Sequence, residues 1–121
     1  MSDDTRTFGA YVRERREALR RADPAFSIRQ VAGRVGIEPS YLSKVERGQV
    51  SPPSEDTVVR LAGILGVDAD VLLALAGKVS SDLEEAIRRR PELFAQLIRE
   101  LRDLPDRAVL RLVREVRDGD W

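Results

Sequence analysis

Apolar side chains recur every three or four residues along most of the chain, which is the spacing of amphipathic α-helices. The first stripe, which includes one arginine, consists of Phe8, Tyr11, Val12, Arg15 and Leu19. It predicts a helix from about Thr7, a suitable N-cap, to Arg21. Asp23-Pro24 ends this helix because the residue before a proline is driven out of the helical region.

The stretch from Ser27 to Gly48 has the pattern of two short helices joined by a tight turn. Ser27 is placed to cap a helix over 28–35, and Gly36 stands where that helix must stop. Pro39 opens a third helix that is predicted to end at Gly48. The apolar positions that can share one core are Val31, Ala32, Val35, Ile37, Leu42 and Val45. This arrangement predicts a helix-turn-helix, whose second helix can lie in a DNA major groove.

Two more helices are predicted after a turn-rich loop. The first begins after Ser54 and ends at Gly66, and Asp68 is placed to cap a short helix over 69–76. The side chains of that short helix that are predicted to close the core are Val71, Leu72 and Leu75. The predicted fold class is therefore all-α, with a compact domain of five helices.

The composition becomes more charged and richer in leucine after Gly77–Ser81, which predicts a domain boundary there. We expect residues 1–6 to be disordered and residues 7–77 to form the helix-turn-helix domain. Residues 80–121 are predicted to form a C-terminal helical segment for dimerisation or regulation.

Pro91 and Pro105 each start a new helical piece in this segment, which predicts hairpins or kinks rather than one rod. The apolar stripes of these pieces contain Leu93, Phe94, Leu97, Ile98, Leu101, Leu104, Val109, Leu110, Val113 and Val116. A segment this short cannot bury such stripes by itself. We expect them to pack on the first domain or on a second copy, and we predict that they form a dimer interface.

The composition excludes several kinds of chemistry. The sequence has no Cys and no His, so it lacks disulfides, thiolates and the commonest metal ligand and general base. Glu84-Glu85 and the carboxylates from Asp103 to Asp106 are interpreted as solvated surface charge. No glycine-rich phosphate loop is present. We predict no catalytic residue, no metal site and no cofactor, and hence not an enzyme.

No stretch approaches the ~18 consecutive apolar residues of a membrane span. The first residues also lack the basic and then apolar pattern of a signal peptide. We therefore expect a cytoplasmic protein with no membrane partner.

The charges are distributed unevenly although they sum to zero. Residues 6–51 carry ten basic and five acidic side chains, a net charge of +5, and the remaining residues together carry −5. Attraction of phosphate depends on this local field rather than on the total. The alternative interpretation is ordinary scatter in an arginine-rich chain.

Residues 7–76 resemble the Cro/C1-type helix-turn-helix family, also called the XRE or lambda-repressor-like family. The matching pieces are SIRQVAGRVGI, PSYLSKVERG, SPPSEDTVVRLAGILGV and DADVLLAL. The resemblance implies a five-helix, lambda-repressor-like domain followed here by a C-terminal helical extension. It also implies a homodimer that binds double-stranded DNA at a near-palindromic operator, and transcriptional repression or activation.

The resemblance also implies a set of DNA-binding residues: Ser27, Arg29, Gln30, Glu38, Pro39, Ser40, Tyr41, Ser43, Lys44, Arg47, Gln49 and Ser51. Lys44 is expected to donate to guanine, and Ser40 and Ser43 to base edges or phosphate. Glu38 could read cytosine or repel wrong sites. Tyr41 either contacts the sugar-phosphate backbone or is a partly buried core residue, and Arg29 is either a phosphate ligand or a solvated charge.

Two departures and one structural pair follow from the same comparison of motifs. Ile28 stands where many family members have a glutamine that touches phosphate, so Arg29 or Gln30 would have to substitute. The link RRADPAF is longer than the usual short form, and it either adds phosphate contacts through Arg20 and Arg21 or merely lengthens a loop. Arg16 and Glu46 fall where the family often places a buried ion pair, which would orient the third helix.

A second hypothesis is that the same fold serves in a protein-interaction function. An antitoxin or phage-type regulator would bind a protein partner through the C-terminal helices. Truncation of those helices separates the two hypotheses. Removal of the helices converts the protein to a monomer only if they form the dimer interface.

Overall fold

The structure is a computed structural model that describes residues 7–121, and it divides into two compact units. The first unit ends at Ser80 and the second is Ser81–Trp121. All regular elements within residues 7–121 are helical, which confirms the all-α prediction. The predicted disorder of residues 1–6 lies outside the described residues. No helix of the described part is long and apolar enough to cross a membrane.

In its described part, residues 7–80, the first unit contains five α-helices and one short 3-10 turn, Pro24–Phe26, between the first two. The helices are α1 (Phe8–Arg20), α2 (Ile28–Val35), α3 (Pro39–Glu46), α4 (Glu55–Leu65) and α5 (Ala69–Leu75). The second unit contains α6 (Ser81–Arg89), α7 (Pro91–Leu101) and α8 (Asp106–Asp118).

Side-chain caps start the helices where the sequence predicts them. The Thr7 hydroxyl accepts a hydrogen bond from the Ala10 N–H at 3.1 Å. The Asp68 carboxylate accepts from the Asp70 N–H at 2.8 Å and starts α5. The 3-10 turn was not predicted, although its signal is local: Asp23 accepts from the Ala25 N–H at 2.9 Å. The long link between α1 and α2 is therefore partly ordered by its own sequence.

The apolar stripes of α1 to α5 meet in one core. Its buried members are Phe8, Val12, Val31, Ala32, Val35, Leu42, Val45, Val58, Leu61, Ala62, Leu65, Leu72 and Leu73. The prediction for Val71 is wrong, because this side chain is 48% exposed and Leu73 is buried instead. The face of α5 that carries Leu72 and Leu73 packs on the core. Val71 lies on the opposite face of the helix.

The second unit has no comparable core. None of the residues in α6, α7 or α8 is buried. The large apolar residues that remain exposed there are Leu83, Leu93, Leu97, Ile98, Leu104, Leu110, Val113, Val116 and Trp121. Pro91 and Pro105 interrupt the chain as predicted, since each stands at the start of a helix. Their helices remain amphipathic with their apolar faces uncovered.

Candidate nucleic-acid interface

The turn between α2 and α3 is built from local signals in the sequence. Ser27 caps α2 by accepting a hydrogen bond from the Gln30 N–H at 3.2 Å. Gly36 ends α2 with a φ of +90°, a left-handed conformation that costs glycine little. Pro39 then occupies the first turn of α3, where its missing N–H leaves no bond unmade. The two helices are thereby joined in the predicted helix-turn-helix.

One side of α3 is buried and the opposite side is open. Leu42 and Val45 pack in the core. Ser40, Lys44 and Arg47 are exposed and share one face because they are spaced by four and three residues. The helix ends at Glu46, two residues before the predicted Gly48; the chain then reverses through Gly48, whose φ is +71°. The open side is the part of α3 that is available to a ligand.

The remaining residues of the predicted interface lie around α3. Those that are exposed are Arg29, Gln30, Glu38, Pro39, Gln49 and Ser51. Ser27, Tyr41 and Ser43 are half-buried. Tyr41 packs against the hydrophobic core, as does Ile28, so the core alternative for Tyr41 describes part of its environment. No described side chain of this set is deeply buried, and all of them lie on α2, α3 or the loops beside them.

A buried ion pair connects α3 to α1. The Arg16 guanidinium donates to both Glu46 oxygens, at 2.7 and 3.0 Å. It also donates to the Phe26 carbonyl at 3.2 Å and to Glu17 at 3.0 Å. The hydrogen bonds to Glu46 raise the pKa of Arg16 above its ordinary value, while burial opposes that shift. The pair predicted from the sequence is therefore present, and its arginine stays charged at neutral pH.

Two features that hold this region were not predicted. Gly9 lies where α1 crosses the end of α3, and a Cβ there would meet the carbonyl oxygens of Val45 and Glu46. The sequence did contain a signal for this contact, because a glycine inside a helix lowers stability and is expected mainly where close packing requires it. Arg60 donates to the Val35 carbonyl at 3.1 Å and so caps the C-terminal end of α2. The sequence gives no signal for that contact, which joins residues far apart in the chain.

The site offers recognition groups rather than reactive ones. Its polar groups are hydroxyls, amides, arginines, one lysine and the Glu38 carboxylate, and all except the carboxylate can donate hydrogen bonds. Within residues 7–121, no group of three or more carboxylates is placed to hold a metal ion.

A short helix stacked on a capped helix through a glycine turn, with one face left open, defines the helix-turn-helix class. Residues 7–75 match the helix-turn-helix domain family. The chain belongs to this family, as predicted from its sequence, and its Cro/C1-type resemblance is compatible with that membership.

Several curated proteins are similar to the chain. An uncharacterized HTH-type transcriptional regulator of Mycobacterium tuberculosis, present in two strains, is 41% identical over 69 residues, covering 57% of this chain and 45% of the relative. The uncharacterized HTH-type transcriptional regulator RghRB of Bacillus subtilis is 33% identical over 78 residues, covering 64% of this chain and 52% of the relative. The chain thus spans about half the length of the curated relatives it matches. No solved structure matches it significantly.

Proposed function

We propose that the chain is a sequence-specific DNA-binding transcriptional regulator, acting as a repressor. In this proposal it binds a near-palindromic operator as a homodimer, with α3 in the major groove. The observation that carries the proposal is the open face of α3, where Ser40, Lys44 and Arg47 are exposed on a helix fixed from behind. The names of the relatives, all HTH-type transcriptional regulators, support the same function.

The positions of the polar groups divide the proposed contacts into two kinds. Lys44 and Ser40 lie on the open face of α3, so we assign them to base edges. Arg29 lies in the first turn of α2 and Arg47 at the end of α3, so we assign both to backbone phosphates. The Ser27 hydroxyl accepts the capping bond and can still donate its own hydrogen to a phosphate.

A salt series on operator and scrambled duplexes tests this assignment. The operator would first be selected from a random DNA pool. Lys44→Ala should lose about 1–3 kcal/mol on the operator and little on scrambled DNA. Arg47→Ala should weaken both duplexes alike and reduce the salt slope by about 0.9. Equal binding of wild type to both duplexes would refute sequence-specific recognition.

The second unit supports the homodimer part of the proposal, because its helices have apolar faces and no core. Eight of its large aliphatic residues are between 43% and 64% exposed. Exposed apolar side chains in such number are typical of a surface that another protein covers. The residues that we assign to dimerisation are Leu93, Phe94, Leu97, Ile98, Leu101, Val109, Leu110, Val113 and Val116.

The same apolar surface supports a second candidate, in which the C-terminal helices bind a different protein, as in an antitoxin or phage-type regulator. Light scattering on the full chain and on residues 1–80 separates the two. The first unit has its own core, so the truncated chain is expected to fold. A dimer that becomes a monomer on truncation supports self-association. A full chain that is already monomeric at micromolar concentration favours the protein partner.

A further inference from the structure

A basic cleft beside α3 involves residues that the proposed interface does not include. It is lined by Arg13, Arg16, Glu17, Arg20, Ile28, Ser43, Glu46 and Arg47. These residues come from α1, α2 and α3. Ser43 and Arg47 belong to the proposed DNA-binding set, so the cleft adjoins the surface that a duplex would contact.

The acidic groups of the cleft are already neutralised. Glu46 receives two hydrogen bonds from Arg16, at 2.7 and 3.0 Å. Glu17 accepts from Arg16 at 3.0 Å and lies 4.0 Å from Arg20. Four arginines and two glutamates line the cleft, which leaves a net charge of +2. Arg16 contacts both glutamates, so the excess positive charge lies on the other arginines of the cleft.

Arg13 is the arginine of the cleft that is most plainly available to a ligand. It lies on the exposed surface of α1, and no hydrogen bond or ion pair to it is found among the described residues. Arg47, which also lines the cleft, is likewise exposed and without an ion pair in residues 7–121. The half-buried Ser43 hydroxyl lines the same cleft and can donate a further hydrogen bond. Two guanidinium groups and a hydroxyl match the acceptor oxygens of a phosphodiester.

We propose that this cleft binds a backbone phosphate of the DNA duplex, with Arg13 and Arg20 from α1 adding to the contact made by Arg47. The proposal rests on the proposed function, because it is contact of α3 with DNA that brings a phosphate within reach. It makes α1 part of the DNA-binding surface and assigns to Arg13 a positioning role that carries no sequence information.

The test compares Arg13→Gln with Arg99→Gln. Arg99 is an exposed residue of α7, so its substitution removes the same charge at a position far along the chain. Binding would be measured by fluorescence anisotropy over a salt series, on the selected operator and on a scrambled duplex. Arg13→Gln should weaken both duplexes about fivefold and reduce the magnitude of the salt slope by about 0.9, with the preference between the duplexes unchanged. Arg99→Gln should change neither quantity.

Replacing single operator phosphates by neutral methylphosphonate locates the contact. One replacement should weaken wild type clearly more than it weakens Arg13→Gln, because Arg13→Gln keeps only the contacts of Arg20 and Arg47 with that phosphate. If Arg13→Gln and Arg99→Gln behave alike while wild type prefers its operator, the cleft is refuted and the proposed function stands. If wild type shows no preference, the proposed function fails, and the salt slopes on an arbitrary duplex still decide the cleft. A thermal melt of Arg13→Gln that matches wild type excludes misfolding as the cause.

Discussion

The buried pair between Arg16 and Glu46 makes a prediction in which a single substitution is worse than a double one. Glu46→Ala leaves the Arg16 guanidinium in a site where its side chain is only 2% exposed. Two partners remain, the Phe26 carbonyl at 3.2 Å and the half-exposed Glu17 at 3.0 Å. Removing one partner of a buried pair typically costs about 3–5 kcal/mol, and the surviving contacts place this case near 3 kcal/mol.

The double substitution Arg16→Met with Glu46→Leu removes both charges and fills the space with apolar atoms. Such replacements are often neutral, because the cost of desolvating the charges disappears as well. One cost remains, since the Phe26 carbonyl loses its donor, and we expect a loss of about 1 kcal/mol. At about 4–8 °C per kcal/mol for a domain of this size, the melting temperature should fall by at least about 12 °C in the single variant and by about half of that or less in the double.

Thermal unfolding followed by circular dichroism at 222 nm measures the difference. Glu17→Gln is the matched control, because it alters an exposed partner of the same guanidinium, whose place water can take. Its melting temperature should fall by less than about 4 °C. A double variant that melts as low as Glu46→Ala would show that the pair itself stabilises the fold, and the reasoning from desolvation would be wrong.

Three further predictions concern packing, capping and assembly. Gly9→Ala should lower the melting temperature sharply, because its Cβ would meet backbone of α3, whereas Gly63→Ala, with open space around it, should raise stability by up to about 1 kcal/mol; paired thermal melts compare them, and similar shifts in both would contradict the close approach. Arg60→Met should cost about 1 kcal/mol in chemical denaturation by freeing the Val35 carbonyl at the end of α2; an unchanged midpoint would remove the cap from the argument. Val113→Asp should shift a dimer towards monomer in light scattering, because the side chain is 51% exposed on the apolar face of α8; a dimer that persists at nanomolar concentration would place the interface elsewhere.

Most of the first unit could be predicted from the sequence because its signals are local. Thr7, Ser27 and Asp68 each cap a helix with their own side chain, and Gly36 ends α2 through its own backbone conformation. Hydrophobic spacing then identified the apolar core positions of α1, α2 and α3. The error at Val71 arose because a helix of seven residues presents too few side chains to define which face is buried.

What could not be predicted depends on contacts between distant parts of the chain. The approach of Gly9 to α3 depends on how two helices cross, which periodicity does not encode. The cleft that brings Arg13 near Arg47 likewise depends on packing of three helices. The buried pair was predicted only through resemblance to a family, since neither Arg16 nor Glu46 looks buried from its neighbours in sequence.

The two faces of α3 have different physical tasks, and this separation explains how such a domain can change what it binds. On the inner face, Leu42 and Val45 lie in the core and Glu46 is held by Arg16, so substitutions there change stability. On the outer face, Ser40 and Lys44 are exposed and contribute little to the core, so substitutions there leave the fold intact. Because the inner contacts fix the orientation of α3, outer side chains can be replaced one at a time without moving the others. Since these contacts also hold α3 in one orientation against α1, we expect a change of target to come from side-chain chemistry rather than from tilting the helix.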